Sequence, residues 1–147
     1  MTDNMERAVR RYARWLGLIP PFDTAQLAQA LTEREGYTIE IAPRAADGTT
    51  IYGACAPNGV RFIIYYCENA GYVQRQRIVW HELAHIALKH VIPTGQHLER
   101  YVATPAQDRE AEAWSQAMTD YAGGRLGASL HKATGGLGQL LQALEGR

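Results

Sequence analysis

The spacing of apolar positions predicts two helices at the start of the chain. Between residues 4 and 17, apolar side chains recur at intervals of three and four, and Gly17 supplies a stop signal. Asp23 or Thr24 can cap a second helix, which is predicted to end near Gly36. The apolar positions of the two helices are Val9, Tyr12, Ala13 and Leu16, followed by Leu27, Ala28 and Leu31.

After the second helix, the period of the pattern changes to two. Residues 37–42 alternate between apolar and other side chains, which predicts a half-buried strand. Two more strands are predicted over Thr49–Ala56 and Val60–Cys67, the last being rich in aromatic and β-branched residues. Turn sequences stand between the three strands, at Asp47-Gly48 and Pro57-Asn58-Gly59. We therefore expect a three-stranded, mainly antiparallel sheet.

The second half of the chain is predicted to be helical. Residues 72–91 have a helix-compatible pattern, and a loop separates them from the next helix. Thr104 can cap that helix with Pro105 at its first position, and the pattern continues to about Tyr121. A last helix is predicted over 137–144, where four leucines form an apolar stripe.

This order of elements indicates an α+β fold, with a small sheet packed against helices. The chain has 147 residues, a length typical of one domain. We expect a single domain over residues 1–147, with its core at about 25–122. The helix over 4–17 and the glycine-containing tail would flank that core.

Composition and charge exclude several classes of protein. Lys and Arg number 15 and so do Asp and Glu, which gives zero net charge. A dedicated nucleic-acid binder carries a basic excess, so nucleic-acid binding is not expected. No apolar run reaches the length of a membrane span, and the N-terminus lacks a signal-peptide core. We therefore expect a cytoplasmic protein. We interpret the arginines of the first helix as a solvated face, with a contact to nucleic acid or to a partner as the alternative. They are Arg7, Arg10, Arg11 and Arg14.

The strongest chemical signal is the string His81-Glu82-Leu83-Ala84-His85. Residues four apart lie on one face of a helix, so two imidazoles can bind one zinc ion at about 2.0–2.1 Å. Glu82 can then act as the general base on a zinc-bound water. With 5 His and 10 Glu in 147 residues, chance would give such a string about 0.01 times. The string therefore favours a zinc hydrolase, and most simply a peptidase.

A catalytic zinc site needs a third protein ligand. His90 follows His85 by five residues, whereas the metzincin pattern requires six with a glycine between, so His90 is interpreted as a helix-end residue. On a helix, Glu110 falls near the middle of an apolar face that includes Ala106, Ala113 and Trp114. A buried carboxylate favours metal ligation. Alternatively, Glu110 pairs with an arginine or a histidine. The full set of candidates is His90, His97, Asp108, Glu110, Glu112 and His131.

The order of these motifs resembles that of the ImmA/IrrE family of small zinc-dependent metallopeptidases. The string Arg75–His85 is similar to that family's approach to its first motif, and Glu110–Ala113 is similar to its second. The resemblance covers roughly residues 25–120. In this register the family's ligand glutamate falls on Glu110, whereas a second register puts Asp108 at the ligand position and Trp114 at an aromatic one. The Leu-Met-Pro common after the second motif is absent.

The resemblance implies a zinc-dependent metalloendopeptidase, with Zn²⁺ held by His81, His85 and Glu110 and with Glu82 as the catalytic base. It also implies a specific protein substrate, such as a helix-turn-helix transcriptional repressor. The strand Val60–Cys67 is expected either to bind the substrate backbone by strand addition or to be a paired inner strand. The alternative function is a non-catalytic zinc-binding module that regulates a repressor or toxin partner by binding it.

Overall fold

The computed structural model describes residues 2–45, 53–58, 61–91 and 102–123. Along the chain these residues form, in order, α1 (Thr2–Trp15), α2 (Thr24–Glu35), β1 (Thr38–Arg44), β2 (Gly53–Asn58), β3 (Arg61–Cys67), α3 (Tyr72–Ala87) and α4 (Pro105–Ala122). The mixture of helices and strands agrees with an α+β fold. The helix predicted over 137–144, the turn Asp47-Gly48, His97 and His131 lie outside the described residues. None of the helices within these ranges has both the length and the apolar character that a membrane crossing requires.

Local sequence signals set the ends of α2 as predicted. The carboxylate of Asp23 accepts a hydrogen bond from the backbone N–H of Gln26, and the Gln26 side chain accepts one from the backbone N–H of Asp23. This reciprocal capping box satisfies two donors at the start of the helix. At the other end, Gly36 has a φ of 79°, a left-handed conformation that glycine adopts without a Cβ clash.

The sheet differs from the prediction in the direction of one strand pair. Its strand order is β1-β3-β2, and β3 is antiparallel to β2 but parallel to β1. The expectation of a mainly antiparallel sheet is therefore wrong. Alternation along a strand shows which residues form it, but not which strand becomes its neighbour. Strands that are consecutive in sequence are neighbours only about two-thirds of the time, and here β1 lies on the far side of β3 from β2.

The strand predicted over residues 60–67 is expected either to bind a substrate strand or to be a paired inner strand, and the central position of β3 decides between the two. Both edges of β3 are paired, so this strand is an inner strand and cannot accept an added peptide strand. Its side chains Phe62 and Ile64 are fully buried, and Cys67 is buried at its end. Among the described strands β2 lies at an edge of the sheet, and it contains Pro57, a residue that lacks a backbone N–H and is tolerated at sheet edges.

A cluster of buried apolar side chains joins the sheet to the helices. It includes residues from α1 to α4 and from β3, among them Val9, Leu27, Phe62, Leu83 and Met118. Within α3, the fully buried Leu83 and Ile86 fix which face of the helix turns toward the core. Because α4 packs against α3, the residues at the seam between these two helices are held in a defined position.

Candidate metal centre

The two histidines of the His-Glu-x-x-His string converge on one point. Their Nε2 atoms lie 3.1 Å apart, and their rings meet edge to face with centroids 4.8 Å apart. The separation follows from their spacing, since residues i and i+4 are one turn apart on α3. The His85 side chain is only 4% exposed, whereas that of His81 is 23% exposed. The pair therefore lies at the margin of the core, with His81 on the solvent side.

Asp108 is the carboxylate that joins the two histidines. Its Oδ1 atom lies 3.3 Å from Nε2 of His81 and 3.1 Å from Nε2 of His85. Asp108 stands in the first turn of α4, whose start is fixed by a capping box between Thr104 and Gln107. His81, His85 and Asp108 are thus close enough to hold one metal ion.

The separations of the three atoms fit a small tetrahedral ion. A tetrahedral zinc ion with bonds of about 2.0–2.1 Å holds neighbouring ligand atoms about 3.3–3.4 Å apart. The edges of the triangle formed by the two Nε2 atoms and Oδ1 measure 3.1, 3.1 and 3.3 Å. Two imidazole nitrogens and one carboxylate oxygen also form a donor set that suits zinc. The residues present therefore fit a zinc ion in both spacing and chemistry.

Glu110 is not brought to this triangle. Its side chain is 52% exposed and its Oε1 atom lies 2.5 Å from Nε2 of His90. The expectation that Glu110 is buried in the apolar face is therefore wrong, and the alternative that it pairs with a histidine is the one found. The helix buries Ala111, Trp114, Ser115, Met118 and Ala122. The predicted apolar face of α4 includes Ala106 and Ala113, which are exposed. The buried face of α4 is instead defined by its large apolar side chains, Trp114 and Met118.

Each of the two histidines also has a partner on its other nitrogen. Nδ1 of His81 lies 3.0 Å from Oε2 of Glu112, and Nδ1 of His85 lies 2.9 Å from Nδ1 of His90. In metal sites, a ligand histidine usually donates its second N–H to such a partner, which fixes the ring and its tautomer. From the sequence, Glu112 is a ligand candidate and His90 is interpreted as a helix-end residue. Their contacts with the two histidines could not be predicted, because they depend on how α3 ends and how α4 packs against it.

Burial keeps the inner imidazole neutral. The pKa of His85 is lowered from 6.5 to about 4, chiefly by burial and then by the nearby His81 and His90. Asp108 acts in the opposite direction and raises the pKa. A metal ligand must offer a free lone pair on a neutral ring. His85 therefore has the protonation state that ligation requires at neutral pH.

Glu82, the predicted general base, is buried on α3. It follows His81 directly on α3 and is 9% exposed. A carboxylate so little exposed is shielded from bulk water, which strengthens its interactions with nearby polar groups. The structure therefore keeps Glu82 next to the first histidine, on the same helix as both.

The triangle is open to solvent on the side of Asp108. Its side chain is 55% exposed, compared with 4% for His85. A groove of about 430 Å³ runs along the seam between α3 and α4, where Trp80, Arg77 and Glu112 are among its lining residues. Glu112 lines this groove and also contacts His81, so one residue is shared between the groove and the surroundings of the site.

Comparisons with known proteins give no family for the chain. No model of a known protein family matches the sequence, and a search of curated proteins finds no match.

Proposed function

We propose that this protein is a zinc-dependent peptidase whose metal is held by His81, His85 and Asp108. The observation that carries the proposal is the triangle of two Nε2 atoms and Oδ1, with edges of 3.1–3.3 Å. Three protein ligands with one open position are the pattern of catalytic zinc sites, whereas structural sites have four. The exposed side of Asp108 supports an accessible fourth position.

The chemistry follows from the donor set and from Glu82. When bound, zinc would lower the pKa of a coordinated water and polarise a peptide carbonyl. The carboxylate of Glu82 would accept the proton released as the water attacks, and would then deliver it to the leaving nitrogen. His85 would remain a neutral donor throughout, because its burial disfavours the protonated ring.

We propose that the substrate binds as an extended strand along β2. Since β3 is paired on both sides, an added strand needs another edge. Among the described strands β1 and β2 are the edges of the sheet, and β2 also contacts α3. Main-chain hydrogen bonds would supply the affinity, so methylation of alternate backbone nitrogens in a substrate peptide should raise KM. The resemblance to the ImmA/IrrE family suggests a specific protein substrate, such as a helix-turn-helix repressor.

Zinc titration of the chelator-treated full chain is the first test. The wild type should bind one zinc ion, and the variants His81→Ala, His85→Ala and Asp108→Ala should each lose stoichiometric binding. Glu33→Ala is the matched control, because Glu33 is an exposed carboxylate of α2 whose partner is Gln29 of the same helix. Absence of stoichiometric zinc in the wild type would refute the proposal.

Peptide cleavage is the second test, with Glu82→Gln as the matched variant. Gln has the shape of Glu but cannot accept the proton, so this variant should keep zinc and lose cleavage. A peptide library of mixed sequence, analysed by mass spectrometry, would reveal cleavage by a peptidase of any sequence specificity. Zinc binding by the wild type without cleavage of any peptide or co-encoded repressor would favour the non-catalytic regulatory module instead.

A further inference from the structure

A chain of three side chains leads away from the triangle. Nδ1 of His85 lies 2.9 Å from Nδ1 of His90, and Nε2 of His90 lies 2.5 Å from Oε1 of Glu110. The His90 side chain is 7% exposed, whereas that of Glu110 is 52% exposed. The chain therefore starts at a candidate metal ligand, passes through a second buried imidazole, and ends on a carboxylate at the surface.

The end of α3 is shaped so that His90 folds back onto His85. The backbone N–H of His90 donates to the carbonyl of His85 at 3.0 Å, and that of Lys89 donates to the carbonyl of Ile86 at 3.1 Å. These two bonds define a Schellman motif, in which the residue after the C-cap is left-handed. Lys89 has that conformation, with a φ of 61°. A contact between the residues at these two positions frequently accompanies the motif, and here it joins the rings of His90 and His85.

When the site holds a metal ion bound by Asp108 and by Nε2 of His85, the chemistry of His85, His90 and Glu110 would fix where the protons lie. A carboxylate only accepts hydrogen bonds, so Glu110 requires the proton of His90 to be on Nε2. Nδ1 of His90 is then a lone pair, and it accepts from an N–H on Nδ1 of His85. The remaining lone pair of His85 is consequently on Nε2, the atom that faces His81 and Asp108. The surface carboxylate thus favours, through His90, the metal-binding tautomer of His85 over the tautomer in which Nε2 donates to Asp108.

We propose that His90 and Glu110 are positioning residues that hold His85 in its metal-binding tautomer and orientation. Neither residue is a ligand in this arrangement, because both nitrogens of His90 and the near oxygen of Glu110 are engaged with each other or with His85. The inference rests on the proposed metal site and extends it outward by two residues. It assigns to Glu110 a role in metal affinity without contact to the metal.

The test measures zinc affinity by competition with a chromophoric chelator, and the spectrum of the cobalt-substituted protein. Removing an outer partner of a ligand histidine typically weakens metal binding by about 10–100-fold, so His90→Leu and Glu110→Ala should do so. His90→Asn places an amide oxygen where Nδ1 lay and should retain much of the affinity. Glu110→Gln keeps an acceptor for His90 and should have a smaller effect than Glu110→Ala. Glu33→Ala is again the control.

The combination of His90→Asn with Glu110→Ala separates the relay from other roles. If Glu110 acts only through His90, the second substitution should add no loss of affinity in the Asn background. A further large loss there, with a changed cobalt spectrum, would identify Glu110 as a ligand and overturn the inference. Unchanged affinity in both His90→Leu and Glu110→Ala would overturn it while leaving the metal site intact. Failure of the wild type to bind zinc would instead remove the proposed function and the relay together.

Discussion

Oδ1 of Asp108 lies 3.1 Å from Nε2 of His85, although the two residues are 23 positions apart in the chain. The contact depends on the packing of α4 against α3, which brings the first turn of one helix beside the motif of the other. Both helices carry a fully buried alanine, Ala84 on α3 and Ala111 on α4, and small side chains permit a close approach of helices. The third donor is therefore a product of helix packing rather than of local sequence.

The identity of the third ligand leads to the first prediction. Asp108→Asn keeps the size of the side chain but removes its charge, and it should weaken zinc binding by more than about 100-fold. This exceeds the loss expected from removing a residue that only contacts a ligand histidine. Glu110→Gln, the same change two residues along α4, should weaken it by less than about 10-fold. Chelator competition on the two purified variants measures both values. The reverse order of effects would assign the ligand to Glu110.

Much of the fold could be predicted because its helix signals are local. The cap at Asp23, the left-handed stop at Gly36 and the Thr104-Pro105 start all lie within a few residues of the element that they bound. The direction of β1 relative to β3 could not be predicted in this way. That direction depends on how the chain crosses the sheet after β1, and no short-range sequence pattern encodes the crossing.

The same distinction between local signals and packing applies to the candidate site. His81 and His85 could be predicted because their spacing on one helix fixes their distance. The choice between Asp108 and Glu110 required the rotation of α4 about its axis, which Trp114 and Met118 determine by their burial. Positions two apart differ by about 200° around a helix, so an error in the assumed face exchanges one carboxylate for the other.

The cap of α4 provides the second prediction. The hydroxyl of Thr104 accepts a hydrogen bond from the backbone N–H of Gln107 at 3.1 Å, and the carbonyl of Thr104 accepts one from that of Asp108. Thr104→Ala should lower the free energy of unfolding by about 1 kcal/mol. It should also weaken zinc binding, because the first turn that carries Asp108 would fray.

Urea denaturation and zinc competition on the same samples test this prediction, with Thr104→Ser as the control that keeps the hydroxyl cap. The serine variant should match the wild type in both measurements. Loss of stability without any change in zinc affinity would mean that the position of Asp108 is held by packing alone.

The left-handed residue at the end of α3 gives a third prediction. Lys89 has a φ of 61°, a conformation that costs a non-glycine residue about 1–2 kcal/mol. Its ammonium donates to Glu35 at 3.0 Å and to Tyr37 at 3.1 Å, and a half-exposed ion pair of this kind contributes about 0–1 kcal/mol. Lys89→Gly removes both the cost of the left-handed conformation and the contribution of the ion pair. The free energy of unfolding of this variant should therefore stay within about 1 kcal/mol of the wild-type value.

Lys89→Val is the contrasting variant, because a β-branched residue is disfavoured in the left-handed region. It should lose about 1–3 kcal/mol relative to Lys89→Gly, measured by urea denaturation. It should also weaken zinc binding, since it disturbs the turn that brings His90 to His85, whereas the glycine variant should bind zinc normally. Equal stability of the two variants would contradict the assignment of a Schellman turn.

The lowered pKa of His85 gives a fourth prediction, for the protein kept metal-free with chelator. The pKa falls from 6.5 in the unfolded chain to about 4 in the folded state, chiefly through burial. Between these values the unfolded state binds a proton that the folded state does not, so stability must decrease as the pH falls through this window. Above it both states are neutral, and His85 makes no pH-dependent contribution. His81, His90 and Asp108 face the same ring, so the slope belongs to the cluster.

Unfolding by urea at a series of pH values measures this slope, with His85→Gln as the matched variant. From about pH 7 to about pH 5, the wild type should lose about 2 kcal/mol more than the variant. Comparison with the variant removes the contribution of titrating groups outside the cluster, which are the same in both proteins, and leaves the slope of His85 and the groups that contact it. Parallel pH profiles for the two proteins would mean that the ring of His85 can take up a proton in the folded state as readily as in the unfolded chain. The site would then offer no preference for the neutral, metal-binding form.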